Sequence, residues 1–124
     1  MGKKTILIVD DNADTRLVLS ARLKANHYHT IFAADALQAM CVARKDQPDA
    51  ILLDLGLPGG NGMIVLERLK ANTCLSGIPV IIVTADYPLV AEARALEAGA
   101  IAFLQKPVDQ DKLMAAVQQA VGTT

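Results

Sequence analysis

Residues 50–62 read Ala-Ile-Leu-Leu-Asp-Leu-Gly-Leu-Pro-Gly-Gly-Asn-Gly. The first four are apolar and stop at a single acid, Asp54, after which proline and glycine follow, as is typical of a loop. A short run that is apolar at every position predicts a strand buried on both faces. Asp54 then lies at the carboxyl end of that strand, the edge at which open α/β sheets bind their ligands.

Short apolar runs alternate with helical patterns along the whole chain. The predicted strands are residues 5–9, 28–33, 50–53, 80–83 and 100–104. The predicted helices are residues 13–25, 36–45, 63–71, 87–98 and 110–121. This alternation predicts a parallel sheet with helices on both faces. The second run mixes polar and apolar residues, as an edge strand does. Residues 1–124 are therefore predicted to form one doubly wound, flavodoxin-like (βα)5 domain with strand order 2-1-3-4-5.

Individual side chains carry further predictions. The N-cap candidates are Asn12, Asp35, Asp86 and Asp109, and Gly99 is a C-cap candidate. The predicted buried stripe of the fourth helix is Leu89, Ala93 and Leu96. Cys41 is predicted to be a small core residue, and Arg16 and Arg22 are predicted to be solvated.

The composition excludes several classes of protein. Hydrophobic residues make up 52% of the 124 and aromatic residues only 3%, so the core is predicted to be aliphatic. The net charge of −1 offers no basic surface for nucleic acid. No apolar run reaches the roughly 18 residues of a membrane span, and the N-terminus has no signal-peptide core. Two cysteines do not form a disulfide framework. We expect a cytoplasmic protein that binds neither nucleic acid nor membrane.

The predicted strand order gathers polar residues at one edge of the sheet. Strand one is followed by Asp10 and Asp11, strand three by Asp54, strand four by Thr84, and Lys106 lies just beyond strand five. Strands one and three are neighbours in that order, so their acids meet. Three close carboxylates repel one another and need positive charge. Lys106 supplies one charge, and a divalent cation such as Mg²⁺, which prefers oxygen ligands, supplies the rest.

Such a site suits phosphoryl transfer. A carboxylate can attack phosphorus and carry an aspartyl phosphate, while a metal ion, Lys106 and a hydroxyl such as that of Thr84 bind the moving oxygens. The arrangement alone does not say which acid attacks. We nominate Asp54 because it stands alone between an apolar strand and a glycine-rich loop, which leaves Asp10 and Asp11 to hold the metal.

Four motifs together resemble the receiver domain of two-component response regulators, and the resemblance covers essentially the whole chain. They are Ile-Leu-Ile-Val-Asp-Asp-Asn (6–12), Leu-Leu-Asp-Leu-Gly-Leu-Pro-Gly-Gly-Asn-Gly (52–62), Ile-Ile-Val-Thr-Ala (81–85) and Phe-Leu-Gln-Lys-Pro (103–107). They look like the family's acidic pair, phosphoacceptor segment, hydroxyl motif and lysine motif. Any one motif is weak, but four in order at the right fold positions are highly specific.

The resemblance implies a phosphorelay switch. Asp54 would accept a phosphoryl group from a sensor histidine kinase or a histidine phosphotransfer protein. Mg²⁺ would be held by Asp10, Asp11, Asp54 and the backbone carbonyl of Gly56. The domain would support its own Mg²⁺-dependent phosphorylation and dephosphorylation and would not be an enzyme that turns over a substrate.

The resemblance also implies how the signal is passed on. Thr84 and Lys106 would bind the phosphoryl oxygens, and Phe103 would turn inward as Thr84 moves. The surface of helix 4, strand 5 and helix 5 would then change and bind a downstream effector or a second copy. The peptide bond before Pro107 is cis in the family. Val108 stands where an aromatic residue is common, which leaves the phosphate lifetime and the choice of partner open.

Two other classes fit the same fold. A receiver-shaped interaction module without phosphorylation would lack a residue of the acceptor, hydroxyl or lysine motifs, and all are present. A flavin protein would need a phosphate-binding loop after strand one and more aromatic side chains. A haloacid-dehalogenase-like phosphatase would need a second Asp two positions after its nucleophile, where Gly56 follows Asp54 and Asn12 follows Asp10. A flavin absorbance spectrum and a phosphatase assay distinguish these enzymes from a receiver.

Overall fold

Strands and helices alternate five times in the computed structural model, which describes residues 3–57, 62–85 and 89–122. The strands are β1 (Thr5–Val9), β2 (His29–Ala33), β3 (Ala50–Leu53), β4 (Val80–Thr84) and β5 (Ala102–Gln105). The helices are α1 (Ala13–Ala25), α2 (Ala36–Asp46), α3 (Gly62–Ala71), α4 (Leu89–Glu97) and α5 (Gln110–Val121). All pairings are parallel and the sheet order is β2-β1-β3-β4-β5, so the predicted fold class is confirmed.

Successive side chains of each strand point to opposite faces of the sheet and so belong to two apolar layers. Leu7, Ile51 and Ile82 belong to the layer under α2, α3 and α4. Their chain neighbours Ile8 and Leu52 belong to the layer under α1 and α5. These central side chains are at most 1% exposed, because each strand is covered on both faces. The apolar sequence of β3, and of β1 and β4 apart from a threonine at one end of each, follows from this double burial.

The register of the sheet places the carboxyl ends of β1, β3 and β4 side by side. Val9 lies opposite Leu53 in the β1–β3 pair, and Leu53 lies opposite Ile82 in the β3–β4 pair. The residues that follow β1 and β3 therefore leave the sheet next to each other, at its carboxyl edge.

The predicted caps are confirmed wherever the chain is described. The side chains of Asn12, Asp35 and Asp109 accept backbone N–H groups in the first turns of α1, α2 and α5. Gly99 follows α4 with a φ of 112°, a conformation that other residues rarely adopt. The fourth predicted cap, Asp86, and the predicted helical residues 87 and 88 lie outside the described residues.

Two strands begin later than predicted. β2 begins one residue later and β5 two residues later. At both places the chain first completes the end of the preceding helix, and Ile101, between that helix end and β5, donates its N–H to the carbonyl of Val80 in β4. The N–H of Tyr28 donates to the carbonyl of Leu23 in α1, and the N–H of Ala100 donates to the carbonyl of Ala95 in α4. A backbone amide used in this way is not available to the sheet.

The prediction that Cys41 lies in the core is wrong. Ala39 and Ala43, four residues apart on one face of α2, are the buried residues of that helix. Cys41 lies midway between them in sequence, which on a helix places it on a different face, and it is exposed.

The predicted buried stripe of α4 is also wrong. Leu89 and Leu96 are 78% and 44% exposed, and Ala93 is exposed as well. Ala95 is the buried residue of this short helix. The side of α4 away from the sheet therefore carries large apolar side chains, Val90 among them. No helix in the described part of the chain has the length and apolar character needed to cross a membrane.

Candidate functional site

Asp10, the residue after β1, is fixed through all four of its polar atoms. Its N–H donates to the carbonyl of Ala33 in β2. Its carbonyl accepts from the Arg16 guanidinium, and its Oδ1 accepts from the N–H of Asn12. Its Oδ2 lies 2.6 Å from the Lys106 ammonium. Asp10 is only 2% exposed, so these bonds replace nearly all contact with water.

Asp54 is held at the end of β3 in a similar way. Its N–H donates to the carbonyl of Val9 in β1, and its Oδ1 accepts from the N–H of Gly56 at 2.9 Å. Its Oδ2 lies 2.9 Å from the Lys106 ammonium. The side chain is 10% exposed, so the carboxylate is nearly buried yet still reachable from outside.

Lys106 joins the two acids, as the strand order predicts. One ammonium group donates to Asp10 and to Asp54, which come from neighbouring strands. Partial burial lowers the pKa of Lys106, but the hydrogen bonds and negative charges of both carboxylates outweigh the burial and raise the pKa above its usual value. Lys106 therefore stays charged at neutral pH and offsets one of the buried negative charges.

Asp11 completes the acidic cluster. Carboxylate oxygens of Asp10, Asp11 and Asp54 lie within 4.8 Å of one another, and within the described residues these acids form the only such group that could hold a metal ion. Asp11 is exposed, whereas the other two are buried. An all-oxygen donor set that is open on one side fits a hard divalent cation such as Mg²⁺, which keeps some of its waters.

Gly56 and Pro107 lie close in the chain to residues of the site, since Gly56 is two residues after Asp54 and Pro107 directly follows Lys106. A Cβ added at Gly56 would be 3.4 Å from Asp54 Oδ1, an ordinary contact, so a side chain would fit there. The role of the Gly56 carbonyl as a metal ligand stays a prediction. The Lys106–Pro107 peptide bond is cis, as the resemblance implies.

Thr84 and Phe103 lie on the β4–β5 side of the site. Thr84 ends β4 and is 1% exposed, and its carbonyl accepts the N–H of Lys106 at 2.9 Å. Phe103 lies opposite Ile82 in the β4–β5 pair and packs, half-buried, against the apolar layer under α2, α3 and α4. The backbone therefore links Thr84 directly to Lys106.

A close backbone approach positions the segment after Asp54. α3 begins at Gly62, whose N–H donates to the carbonyl of Leu55 at 3.3 Å. A Cβ at Gly62 would overlap the Asp54 carbonyl and the Leu55 Cα, so only glycine fits at this point. The start of α3 is thereby held against the main chain of the nominated acceptor.

The sequence reasoning missed two arginines of α1. Arg16 and Arg22 are half-buried instead of solvated. Arg16 donates to the carbonyl of Asp10, and Arg22 donates to the carbonyl of Val108. Bonds to backbone carbonyls leave no pattern in the sequence, because any residue can supply the acceptor.

Comparison with known proteins matches this geometry to one family. The family model of the response regulator receiver domain matches residues 6–118, nearly the whole chain. The chain belongs to the response regulator receiver domain family. This receiver domain is 41% identical over 114 residues to response regulator PleD of Caulobacter vibrioides, which is 91% of this chain but 25% of PleD. The receiver domain thus spans about a quarter of the length of that relative.

Two further similarities cover nearly all of both chains. The receiver domain is 37% identical over 119 residues to sporulation initiation phosphotransferase F of Bacillus subtilis, covering 96% of this chain and 94% of that protein. The crystal structure of the receiver domain of a sensor histidine kinase from Pseudomonas aeruginosa matches with a TM-score of 0.88 and 30% identity, over 98% of this chain and 100% of that one. That homologous domain has a magnesium ion coordinated in its active site cleft.

Proposed function

We propose that this receiver domain is a phosphorylation-activated switch in which Asp54 accepts a phosphoryl group from a sensor histidine kinase or a histidine phosphotransfer protein. The observation that carries the proposal is the position of Asp54. Its carboxylate lies at a strand end, 10% exposed, beside an acidic cluster and 2.9 Å from a lysine ammonium. An acid in these surroundings is accessible to a phosphodonor and has a cation at hand for the incoming oxygens.

The proposed transfer moves one phosphoryl group between two nucleophiles. An Asp54 oxygen forms a bond to phosphorus while the bond from phosphorus to the donor's histidine nitrogen breaks. The electron pair of the broken bond stays on the imidazole nitrogen. Lys106 shifts its hydrogen bonds from the carboxylates to the transferring oxygens, and Thr84 supplies a hydroxyl donor on the β4 side.

Mg²⁺ is the cofactor that the site fits. When bound, it supplies the positive charge that the transferring oxygens need. Asp10, Asp11, Asp54 and the carbonyl of Gly56 would hold it. The role of Asp10 is to present a fixed oxygen, since its main chain and side chain are bonded throughout, whereas exposed Asp11 can adjust to the ion.

The proposed partners follow from the same chemistry. The phosphodonor is a protein with a phosphorylated histidine, and the output is a downstream effector or a second copy that binds the surface of α4, β5 and α5. In this role the domain supports its own phosphorylation and dephosphorylation and is not an enzyme that turns over a separate substrate.

Phosphorylation by a small donor tests the proposal. Acetyl phosphate with Mg²⁺ should raise the intact mass of the wild type by one phosphoryl group, because the site itself supplies the acceptor and the cations. Asp54→Asn should abolish the increase. Asp46→Asn, at an exposed acid that ends α2, should leave it unchanged. Equal labelling of Asp54→Asn and the wild type would contradict the assignment.

A further inference from the structure

The segment that follows β5, residues 106–109, is enclosed only in part by packing. We name it the lysine turn. A groove of about 300 Å³ runs along one side of it, towards Phe103 and Lys112. A second groove of about 240 Å³ separates it from Val18 and Leu19 of α1. Lys106, Pro107 and Val108 line both grooves. Val108 packs against the apolar layer under α1 and α5, whereas Pro107 is exposed and both grooves lie open beside the turn. Because packing fixes only part of the lysine turn, its hydrogen bonds must fix the rest of its position.

Besides the bonds from the Lys106 ammonium to Asp10 and Asp54, hydrogen bonds hold the lysine turn at three places. At its start, the N–H of Lys106 donates to the carbonyl of Thr84. At its end, Asp109 caps α5 through the N–H of Lys112. Between them, the carbonyl of Val108 accepts from Arg22 Nη1 at 2.7 Å. This last bond joins α1 to residues 86 positions further along the chain, across the second groove.

We propose that Arg22 is a positioning residue for Lys106, an inference that rests on the proposed function. Arg22 has no direct bond to the acids. It holds the main chain of Val108, two residues after Lys106, and so keeps the Lys106 ammonium on both Asp10 and Asp54. Without the guanidinium, the lysine turn loses its hydrogen bond to α1 and can shift towards the groove beside that helix, so the Lys106 ammonium is held less firmly where the phosphoryl oxygens arrive.

Matched variants separate positioning from simple anchoring of α1. Arg22→Met keeps the aliphatic stem and removes the guanidinium, and Arg22→Lys keeps a charge and a donor. Arg44→Met, at an exposed arginine in the last turn of α2, is the control. Three quantities are measured for each protein: the rate of Asp54 phosphorylation by acetyl phosphate at saturating Mg²⁺, the ¹⁵N chemical shift of Lys106 Nζ before phosphorylation, and the urea midpoint.

We expect Arg22→Met to slow phosphorylation by about tenfold, since small displacements of a catalytic group have large effects on rate. The Lys106 Nζ signal should shift in the same variant. In Arg22→Lys, the phosphorylation rate and the Lys106 Nζ chemical shift should lie between those of Arg22→Met and the wild type. Arg44→Met should change neither quantity.

A lower urea midpoint with an unchanged rate and an unchanged Nζ signal in Arg22→Met overturns the inference, because Arg22 then only anchors α1. If Arg22→Met does not fold, the phosphorylation rate and the Lys106 Nζ signal are measured instead in Arg22→Gln, which has a shorter side chain. A wild type that takes up no phosphoryl group contradicts the proposed function instead. In that case the Nζ signal alone decides whether Arg22 positions Lys106.

Discussion

At the scale of single residues, the feature that decides the chemistry is one ammonium shared by two carboxylates. Lys106 bonds to Asp10 and Asp54, and these interactions raise its pKa above the usual 10.5. A raised pKa in the folded state means that the stabilisation by Lys106 is complete below about pH 10.5 and is lost as the pH rises through the folded-state pKa. In metal-free buffer we expect Lys106→Met to lower the free energy of unfolding by about 2 kcal/mol near neutral pH.

The test is to measure how the difference in free energy of unfolding between the wild type and Lys106→Met depends on pH. Urea unfolding of the wild type and Lys106→Met should give the same gap at about pH 7 and about pH 9, and a smaller gap at about pH 11. Lys45→Met, at an exposed lysine near the end of α2, should show no such dependence. A gap that stays constant through the alkaline range would mean that Lys106 does not stabilise the fold through its charge.

At the scale of elements, α3 is fixed to the end of β3 by a contact that only glycine allows. Gly62→Ala places a Cβ on the main chain of Asp54 and Leu55, and neither backbone can move freely. We expect a loss of about 2 kcal/mol in the free energy of unfolding and slower phosphorylation of Asp54, because the start of α3 must move away. Urea midpoints and acetyl phosphate kinetics measure the two effects.

The loop between α3 and β4 offers a matched control. A Cβ at Gly77 meets nothing within 4 Å, and no positive φ is needed there. Gly77→Ala should leave phosphorylation unchanged and should stabilise the fold by about 0.5 kcal/mol through the unfolded state. If Gly62→Ala and Gly77→Ala have the same urea midpoint and the same rate of phosphorylation, the close approach at Gly62 has no effect on the site.

At the scale of the whole molecule, the site and the proposed output surface adjoin at β5, which pairs with β4 and is followed by Lys106. An aspartyl phosphate adds negative charge and acceptor oxygens, which should draw in Thr84 and Lys106. We expect Phe103 then to fill the space beside β4 and the surface of α4, β5 and α5 to change. That surface includes the exposed side chains of Leu89 and Leu96, which suit contact with a partner.

NMR of the wild type and Thr84→Ala tests this coupling. With a beryllofluoride mimic, the wild type should show shift changes in residues 89–97 and 102–105 as well as beside Asp54. Thr84→Ala should still accept phosphate but should show much smaller changes at a distance, because a modification acts only through its differential interaction with two states. Changes confined to the neighbours of Asp54 in the wild type would rule out the switch.

The sequence predicts the fold well because the central strands admit only one interpretation. β3 is apolar throughout and β1 is apolar after Thr5, each is followed by an acid, and the order of the strands then brings Asp10, Asp54 and Lys106 together. The buried face of α4 could not be predicted, because its large apolar side chains Leu89, Val90 and Leu96 are exposed and the small Ala95 is buried, the reverse of what an apolar stripe predicts. The bond from Arg22 to Val108 could not be predicted either, since its acceptor is a backbone carbonyl. The roles of the site residues in phosphotransfer stay predictions.

The proposed acceptor and its cation lie far apart along the chain, and this has a consequence during translation. Lys106 follows Asp10 by 96 residues and Asp54 by 52. A nascent chain on the ribosome presents both acids long before their cation emerges, and α5, which covers the sheet beside them, emerges last. If Asp54 is the acceptor, as proposed, unfinished or truncated chains carry it without its cation, and we expect competence for phosphorylation only when synthesis of the domain is essentially finished.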